Sequence, residues 1–305
     1  MTSPAAFRQV AILGLGLIGS SIARAVRDRM PDIRVTGFDS DAATRATARR
    51  LAIAHDIPDQ MAAAVADADL IILCVPVGAM GPVAQDLAGH IRADAVISDV
   101  GSSKASVLTA LQVALPHHHV IPAHPVAGTE RSGPEAGFAA LFHNRWCIIT
   151  PPEGADEAKV MQLSAFWEAL GANVERMDAQ HHDLVLAVTS HLPHLIAYTI
   201  VGTASDLESV TRSEVIKYSA GGFRDFTRIA ASDPTMWRDV FLSNKDAVLE
   251  MLQRFSEDLT ALQRAIRWGD GDALFDLFSR TRAIRRSIIE EGQDDARPDF
   301  GRSDH

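Results

Sequence analysis

The chain is poor in several things, and each scarcity narrows what it can be. Among 305 residues there are two cysteines, Cys74 in LIILCVP and Cys147 in WCIIT, both inside apolar runs. They read as buried thiols that pack like small hydrophobes, not as a disulfide or a nucleophile. Positive charge is short: 29 Lys and Arg against 39 Asp and Glu leave a formal net charge of −10. Nucleic-acid recognition needs a basic face, so that class of partner is excluded. An anionic small molecule is not excluded, because screening limits bulk charge to about 8 Å and a local cation can hold it. The start, MTSPAAFRQV, lacks a basic region followed by an apolar core, so no secretory signal is visible. The longest apolar run, 184–201, is broken by His191, Pro193 and His194, whereas a membrane span needs about 20 cleaner residues. A soluble, cytoplasmic protein with no membrane partner is expected.

What is present is ordinary globular material, 47% hydrophobic and 22% charged, in a length that suits two domains. The first half alternates β-rich runs with helical patterns, the signature of a parallel α/β sheet. Strands are expected at 8–14, 34–39, 69–75, 95–101, 118–124, 146–151 and 172–177, with helices at 17–28 and 156–170. After Met177 everything readable is helix, interrupted by a Gly-rich loop at 218–228. The expected fold class is therefore α/β: an N-terminal Rossmann-type doubly wound sheet followed by an all-helical C-terminal dimerisation domain. The boundaries are 1–177 for dinucleotide binding and 178–292 for the helical domain. The segment 293–305 has no apolar period and is expected to be a disordered tail. Val248, Leu252, Phe255, Leu259, Leu262 and Ile266 recur at spacings of 4, 3, 4, 3 and 4. Such a seam packs within a subunit or across a homodimer.

The segment GLGLIGSS sets Gly14, Gly16 and Gly19 between the first strand and the first helix, with Leu17 and Ile18 at the helix start. A G-x-G-x-x-G is weak evidence alone, but this one has the strand and helix that dinucleotide binding requires. Asp39 ends the second strand 20 residues after Gly19, where a carboxylate accepts the adenosine ribose hydroxyls. Ser40 and Asp41 follow, with no arginine immediately after the strand. A 2′-phosphate would face two carboxylates, so the expected cofactor is NAD and not NADP. Ligands of a doubly wound sheet gather at the carboxyl ends of its strands. Three such ends carry suggestive motifs: CVPV (74–77), with Val75 and Pro76 expected against the cofactor, DVGSSK (99–104) and AHPVAGTERSG (123–133).

Over residues 8–290 the sequence resembles the prephenate and arogenate dehydrogenase family of tyrosine biosynthesis. The carriers are GLGLIGSS, DVGSSK, HPVAGTERSG, SHLPH (190–194) and GGFRDFTRIAASDPTMWRD (221–239). The resemblance implies oxidative decarboxylation of a cyclohexadienol, a dianionic small molecule. It implies that His124 is the base that takes the ring hydroxyl proton, and that Ser102 bonds near that hydroxyl and the nicotinamide. It implies that Arg228 binds a substrate carboxylate and that His194, Ser190 and Gly221 line the pocket. Thr129 and Glu130 would close over it, and Trp237 would be lent by a neighbouring subunit. These residue types suit the chemistry. A neutral imidazole eases hydride loss from an alcohol carbon, and guanidinium is the natural partner of a carboxylate.

Simpler readings stand beside these. His117–His119 is an exposed run before a strand, His181 and His182 start a helix and could cap it, and Arg228 could pair with Asp225 or Asp233. A zinc site from His182, His191 and His194 is disfavoured, because Pro193 intervenes and no further ligand stands at suitable spacing. Lys104 reads as structural. Competing functions are arogenate or dual specificity, a non-catalytic dinucleotide sensor, and a β-hydroxyacid or imine reductase. The chain is expected to lack a fused chorismate mutase and a C-terminal regulatory domain.

Overall fold

The structure is a computed structural model that describes residues 7–129, 131–206 and 221–290. Its contacts divide the chain into two compact units, Met1–Val248 and Leu249–His305. The first unit is built on five parallel strands, β1 (Gln9–Leu13), β2 (Arg34–Phe38), β3 (Leu70–Leu73), β4 (Val96–Asp99) and β5 (His119–Val120), in the order β2-β1-β3-β4-β5. The order reverses between β1 and β3, and such a switch point opens a crevice at the carboxyl ends of the strands. All four residues of β3 are buried, as expected for a strand covered on both faces. The two-residue period sorts the side chains. Val10 and Ile12 enter one core with Leu70 and Ile72, while Ala11 and Leu13 enter the other with Ile71 and Leu73.

Helix α1 (Leu17–Arg29) packs Ile22, Ala25 and Val26 into the first core. The second core takes α3 (Met61–Val65), α4 (Val77–Leu87) and α5 (Ala105–Ala114). Between them in sequence, α2 (Ala42–Arg50) is capped by the Asp41 carboxylate. The predicted doubly wound sheet is thus present, with one correction. The run 118–124 is not a single strand. It splits at Pro122, which has no N–H to give a ladder, into β5 and a separate β6 (Ala123–Pro125). Strand β6 pairs antiparallel with β7 (Trp146–Ile149), and β7 pairs parallel with β8 (Asn173–Arg176), forming a second sheet of three strands. Between β7 and β8 runs α6 (Glu157–Ala169), whose Val160, Leu163, Phe166 and Trp167 join the first core.

From Asp178, whose carboxylate caps the next helix, α7 (Ala179–Leu186) leads through a π-helical turn, Ala187–His191, into α8 (Leu192–Asp206). Pro193 explains the turn: it cannot donate to a carbonyl one turn back and its ring crowds that carbonyl, so the ladder shifts register. This continuous run, Ala179–Asp206, is long and apolar enough to cross a membrane by length and composition. It carries buried His182, Asp183 and His191, a polar load that suits the wall of a site. The chain continues with α9 (Gly221–Thr227), α10 (Pro234–Ser243) and α11 (Lys245–Trp268). The division between units falls inside α11. The second unit holds the rest of α11 and α12 (Gly271–Glu290), and on it Leu259, Ile266, Trp268, Phe275 and Phe278 are exposed. The expected tail, 293–305, lies outside the described residues.

Candidate active site

The site begins at the glycine loop. Gly14 has φ +97°, and a Cβ there would stand 2.3 Å from the Cys74 carbonyl oxygen. A Cβ on Gly19 would stand 1.9 Å from the Gly14 carbonyl oxygen, so glycine alone lets α1 sit this close to β1. A Cβ on Gly16 would meet nothing within 4 Å. Gly16 is also the N-cap of α1, with no side chain capping it. A helix N-terminus with its N–H groups uncapped and open space before it is a cradle for a pyrophosphate. Leu17 and Ile18 are half-buried at that start, and Val75 and Pro76 line the neighbouring end of β3, where Pro76 precedes α4.

Asp39 follows β2. Its Oδ2 accepts from Leu15 N at 2.8 Å and its Oδ1 from Asp41 N at 2.9 Å, which fixes the carboxylate beside the glycine loop. Sequence reading found no arginine immediately past this strand and so missed Arg45, one turn into α2. Its guanidinium lies 5.6 Å from the Phe38 ring centroid and donates to the carbonyls of Asp39 at 2.8 Å and Ser40 at 3.0 Å. Its Nε bonds Asp59 at 3.2 Å, so its charge is already partnered.

His124 is not on a loop. It is the central residue of β6, paired with Ile148, and only 8% exposed. Its Nδ1 lies 2.9 Å from His182 Nε2. His182 Nδ1 lies 2.8 Å from Asp183 Oδ1, and that carboxylate accepts from the backbone N–H groups of Lys104 at 2.7 Å and Ala105 at 2.9 Å. The suggestion that His182 caps a helix is corrected: Asp178 does the capping, and His182 is fully buried against His124. Burial, reinforced by the nearby His182, Lys104 and His191, pushes the His124 pKa well below its usual 6.5. His124 is therefore neutral at pH 7, the state a base requires.

The turn from β4 to α5 carries Ser102, half-buried, and then Lys104, fully buried. Lys104 Nζ pairs with the buried Asp99 and donates to the Ala123 carbonyl at 2.8 Å. Lys104 thus ties β4 to the residue preceding His124. Asn244 Nδ2 donates to the Asp183 carbonyl at 2.7 Å and to His191 Nδ1 at 3.1 Å. His191 is fully buried, and desolvation lowers its pKa to about 4. Both cysteines are free; burial pushes their thiols up, so neither is a nucleophile at neutral pH.

On the substrate side, His194 Nδ1 donates to the Ser190 carbonyl at 2.8 Å, across the π-helical turn. The His194 ring stacks on Trp237 with centroids 3.6 Å apart. Trp237 is 6% exposed. It packs on His194 of its own chain. Arg228 begins a 3₁₀ turn after α9 and is exposed; its charge, after burial, depresses the His194 pKa, which brings the two together. Gly221 is exposed at the start of α9. Exposed Thr129 accepts from Arg131 N at 3.2 Å; Glu130 lies outside the described residues. The loop beyond returns to the glycine helix, where Phe138 N donates to Ser21 Oγ at 3.1 Å. Among the described residues no group of three or more His, Cys, Asp or Glu is placed to hold a metal ion.

A glycine-loop cradle for a nucleotide, in the same unit as a buried imidazole, is the arrangement of a nucleotide-dependent oxidoreductase. The nucleotide-binding domain of prephenate dehydrogenase matches residues 22–176, and the dimerization domain of prephenate dehydrogenase matches 178–280. The chain is 45% identical over 282 residues to the cyclohexadienyl dehydrogenase of Zymomonas mobilis subsp. mobilis, spanning 92% of this chain and 96% of that one. Prephenate dehydrogenase of Aquifex aeolicus, crystallised with hydroxyphenyl propionate and NAD+, is similar in structure, with TM-score 0.87 and 32% identity over 93% of this chain and 99% of that one. Synechocystis arogenate dehydrogenase gives TM-score 0.77 and 25% identity, covering 92% and 99%. The chain belongs to the prephenate dehydrogenase family.

Proposed function

We propose that the chain catalyses the NAD-dependent oxidative decarboxylation of prephenate to 4-hydroxyphenylpyruvate. The observation that carries this reading is His124: buried, neutral and fixed in β6, one residue past the Lys104 anchor on Ala123. The open space before Gly16 and the fixed Asp39 carboxylate suit NAD, and the Aquifex relative was crystallised with it. When bound, the nicotinamide supplies the hydride acceptor. His124 takes the ring hydroxyl proton, and Ser102 hydrogen-bonds that oxygen. Arg228 holds a substrate carboxylate, beside the wall formed by Ser190, His194, Gly221 and Trp237. Thr129 is assigned to the substrate's surroundings; Glu130, assigned with it, lies outside the described residues. As the ring carbonyl forms, the electron pair of the departing carboxylate flows into the ring, which becomes aromatic without a metal as electron sink.

A second reading, arogenate or dual specificity, is favoured by the similarity to a cyclohexadienyl dehydrogenase and to an arogenate dehydrogenase. The test is steady-state NADH formation with prephenate and arogenate offered separately, each with NAD and with NADP. Prephenate with NAD should give the highest kcat/KM. Equal rates with arogenate establish dual specificity, and no rate with either substrate refutes the proposal. We also propose a division at residues 177 and 178 and a cytoplasmic homodimer. The dimer is supported by the match to a dimerization domain and by the exposed apolar residues of α11 and α12.

A further inference from the structure

His182 and Asp183 have no part in the reaction as written above, yet they form a buried, hydrogen-bonded pair behind His124. Their hydrogen bonds can be read in one direction only. The Asp183 carboxylate accepts from two backbone N–H groups at the start of α5, which fixes it at the positive end of that helix. A carboxylate in that position has no proton to give, so His182 Nδ1 must carry the hydrogen between them. Neutral His182 then presents a lone pair at Nε2, and His124 Nδ1 must donate to it. That leaves the lone pair of His124 on Nε2.

Resting on the proposed role of His124 as base, we infer that His182 and Asp183 are positioning residues that select the tautomer in which His124 Nε2 is the base. The groups facing His124 fit this role. His182, Lys104 and His191 surround it, and the Lys104 charge is balanced by Asp99. When Nε2 accepts the substrate proton, His124 becomes cationic. The Nδ1–H bond to His182 then strengthens, and Asp183, bonded to His182, supplies a negative charge behind it.

Asp183→Asn tests the direction of the chain. Lys104 N and Ala105 N bond different oxygens of Asp183, so the single amide oxygen keeps only one of them. With that oxygen on Ala105 N, the NH₂ takes the Oδ1 place and faces His182 Nδ1. His182 then carries its hydrogen on Nε2 and donates to His124 Nδ1, which places the His124 hydrogen on Nε2. The resting base is lost. Nitrogen-15 NMR of labelled imidazoles, assigned with His124→Asn, should show Nε2 of His124 unprotonated in the wild type and protonated in Asp183→Asn. The kcat should fall about 10²–10⁴-fold with KM within a few-fold. A second pair guards against misfolding. His182→Leu should lose activity, while His182→Gln, whose amide accepts from His124 and donates to Asp183, should recover most of it. A wild-type His124 already protonated on Nε2, or equal activity of the Leu and Gln variants, overturns the inference. The NMR reading needs no substrate, so it stands apart from any failure of the proposed reaction.

Discussion

Replacing Gly16 by alanine separates cofactor binding from folding. The added methyl group meets no protein atom within 4 Å, and φ of −70° is open to alanine. Alanine is a poorer N-cap than glycine, by about 1 kcal/mol. It also restricts the unfolded chain, which returns about 0.4–1 kcal/mol. The two effects nearly cancel, so stability should move by no more than about 1 kcal/mol. Binding should suffer far more, because the methyl occupies the space a pyrophosphate needs in order to reach the helix N–H groups. Losing one charged hydrogen bond costs about 1.5–3 kcal/mol, which weakens NAD about 10–100-fold. Gly19→Ala is the contrast: its Cβ would lie 1.9 Å from a backbone oxygen, so α1 must shift and stability itself falls. Urea melts together with NAD titration by tryptophan fluorescence measure both quantities. Wild-type NAD affinity in Gly16→Ala, or an undisturbed Gly19→Ala, would refute the cradle.

Three further outcomes follow from the same geometry. His124, His182 and His191 are held neutral by burial, with pKa values below 6.5. The unfolded chain takes up protons first, so stability is complete above about pH 6.5 and falls as the pH drops. His191 alone, lowered to about 4, accounts for about 3 kcal/mol by pH 4; urea melts that stay flat between pH 7 and pH 5 would contradict this. Arg228→Ala should raise the substrate KM about 10–10³-fold with NAD affinity unchanged, and equal losses in both would mean that Arg228 supports the fold. Ile266→Asp, on an exposed apolar position of α11, should shift sedimentation from dimer towards monomer, whereas a wild type that is monomeric at assay concentration removes the dimer proposal.

Local pattern carried much of the fold into view. The short apolar runs of β1 and β3 and the fixed glycine spacing before α1 depend on neighbouring residues, and sequence displays neighbours directly. The run 118–124 was misread because an apolar stretch looks continuous, whereas Pro122 sends its two ends to different sheets. The partnership of His124 with His182 spans 58 residues of chain and obeys no period. A signal was present nonetheless: adjacent His182 and Asp183 stand near the start of the long, largely apolar run Ala179–Asp206, where a buried polar pair needs a partner. Arg45 was passed over because its guanidinium returns along α2 to carbonyls several residues back. Trp237 reaches His194 only through the packing of α10, which no local motif reveals.

The central claim is that His124 removes the alcohol proton, and the pH profile of His124→Asn tests it most directly. Asparagine keeps similar bulk and a hydrogen-bonding group but cannot act as the base. The kcat should fall about 10²–10⁴-fold while KM changes little. In the wild type the acid limb of kcat/KM should have its midpoint well below 6.5, because burial, reinforced by the nearby His182, Lys104 and His191, holds His124 neutral. That is lower than the value near 6.5 of an unperturbed imidazole. In the variant this limb should vanish. A variant that retains most of its kcat, or the same acid limb at a reduced rate, would contradict the claim and move the base to another residue, with His194 the first to examine.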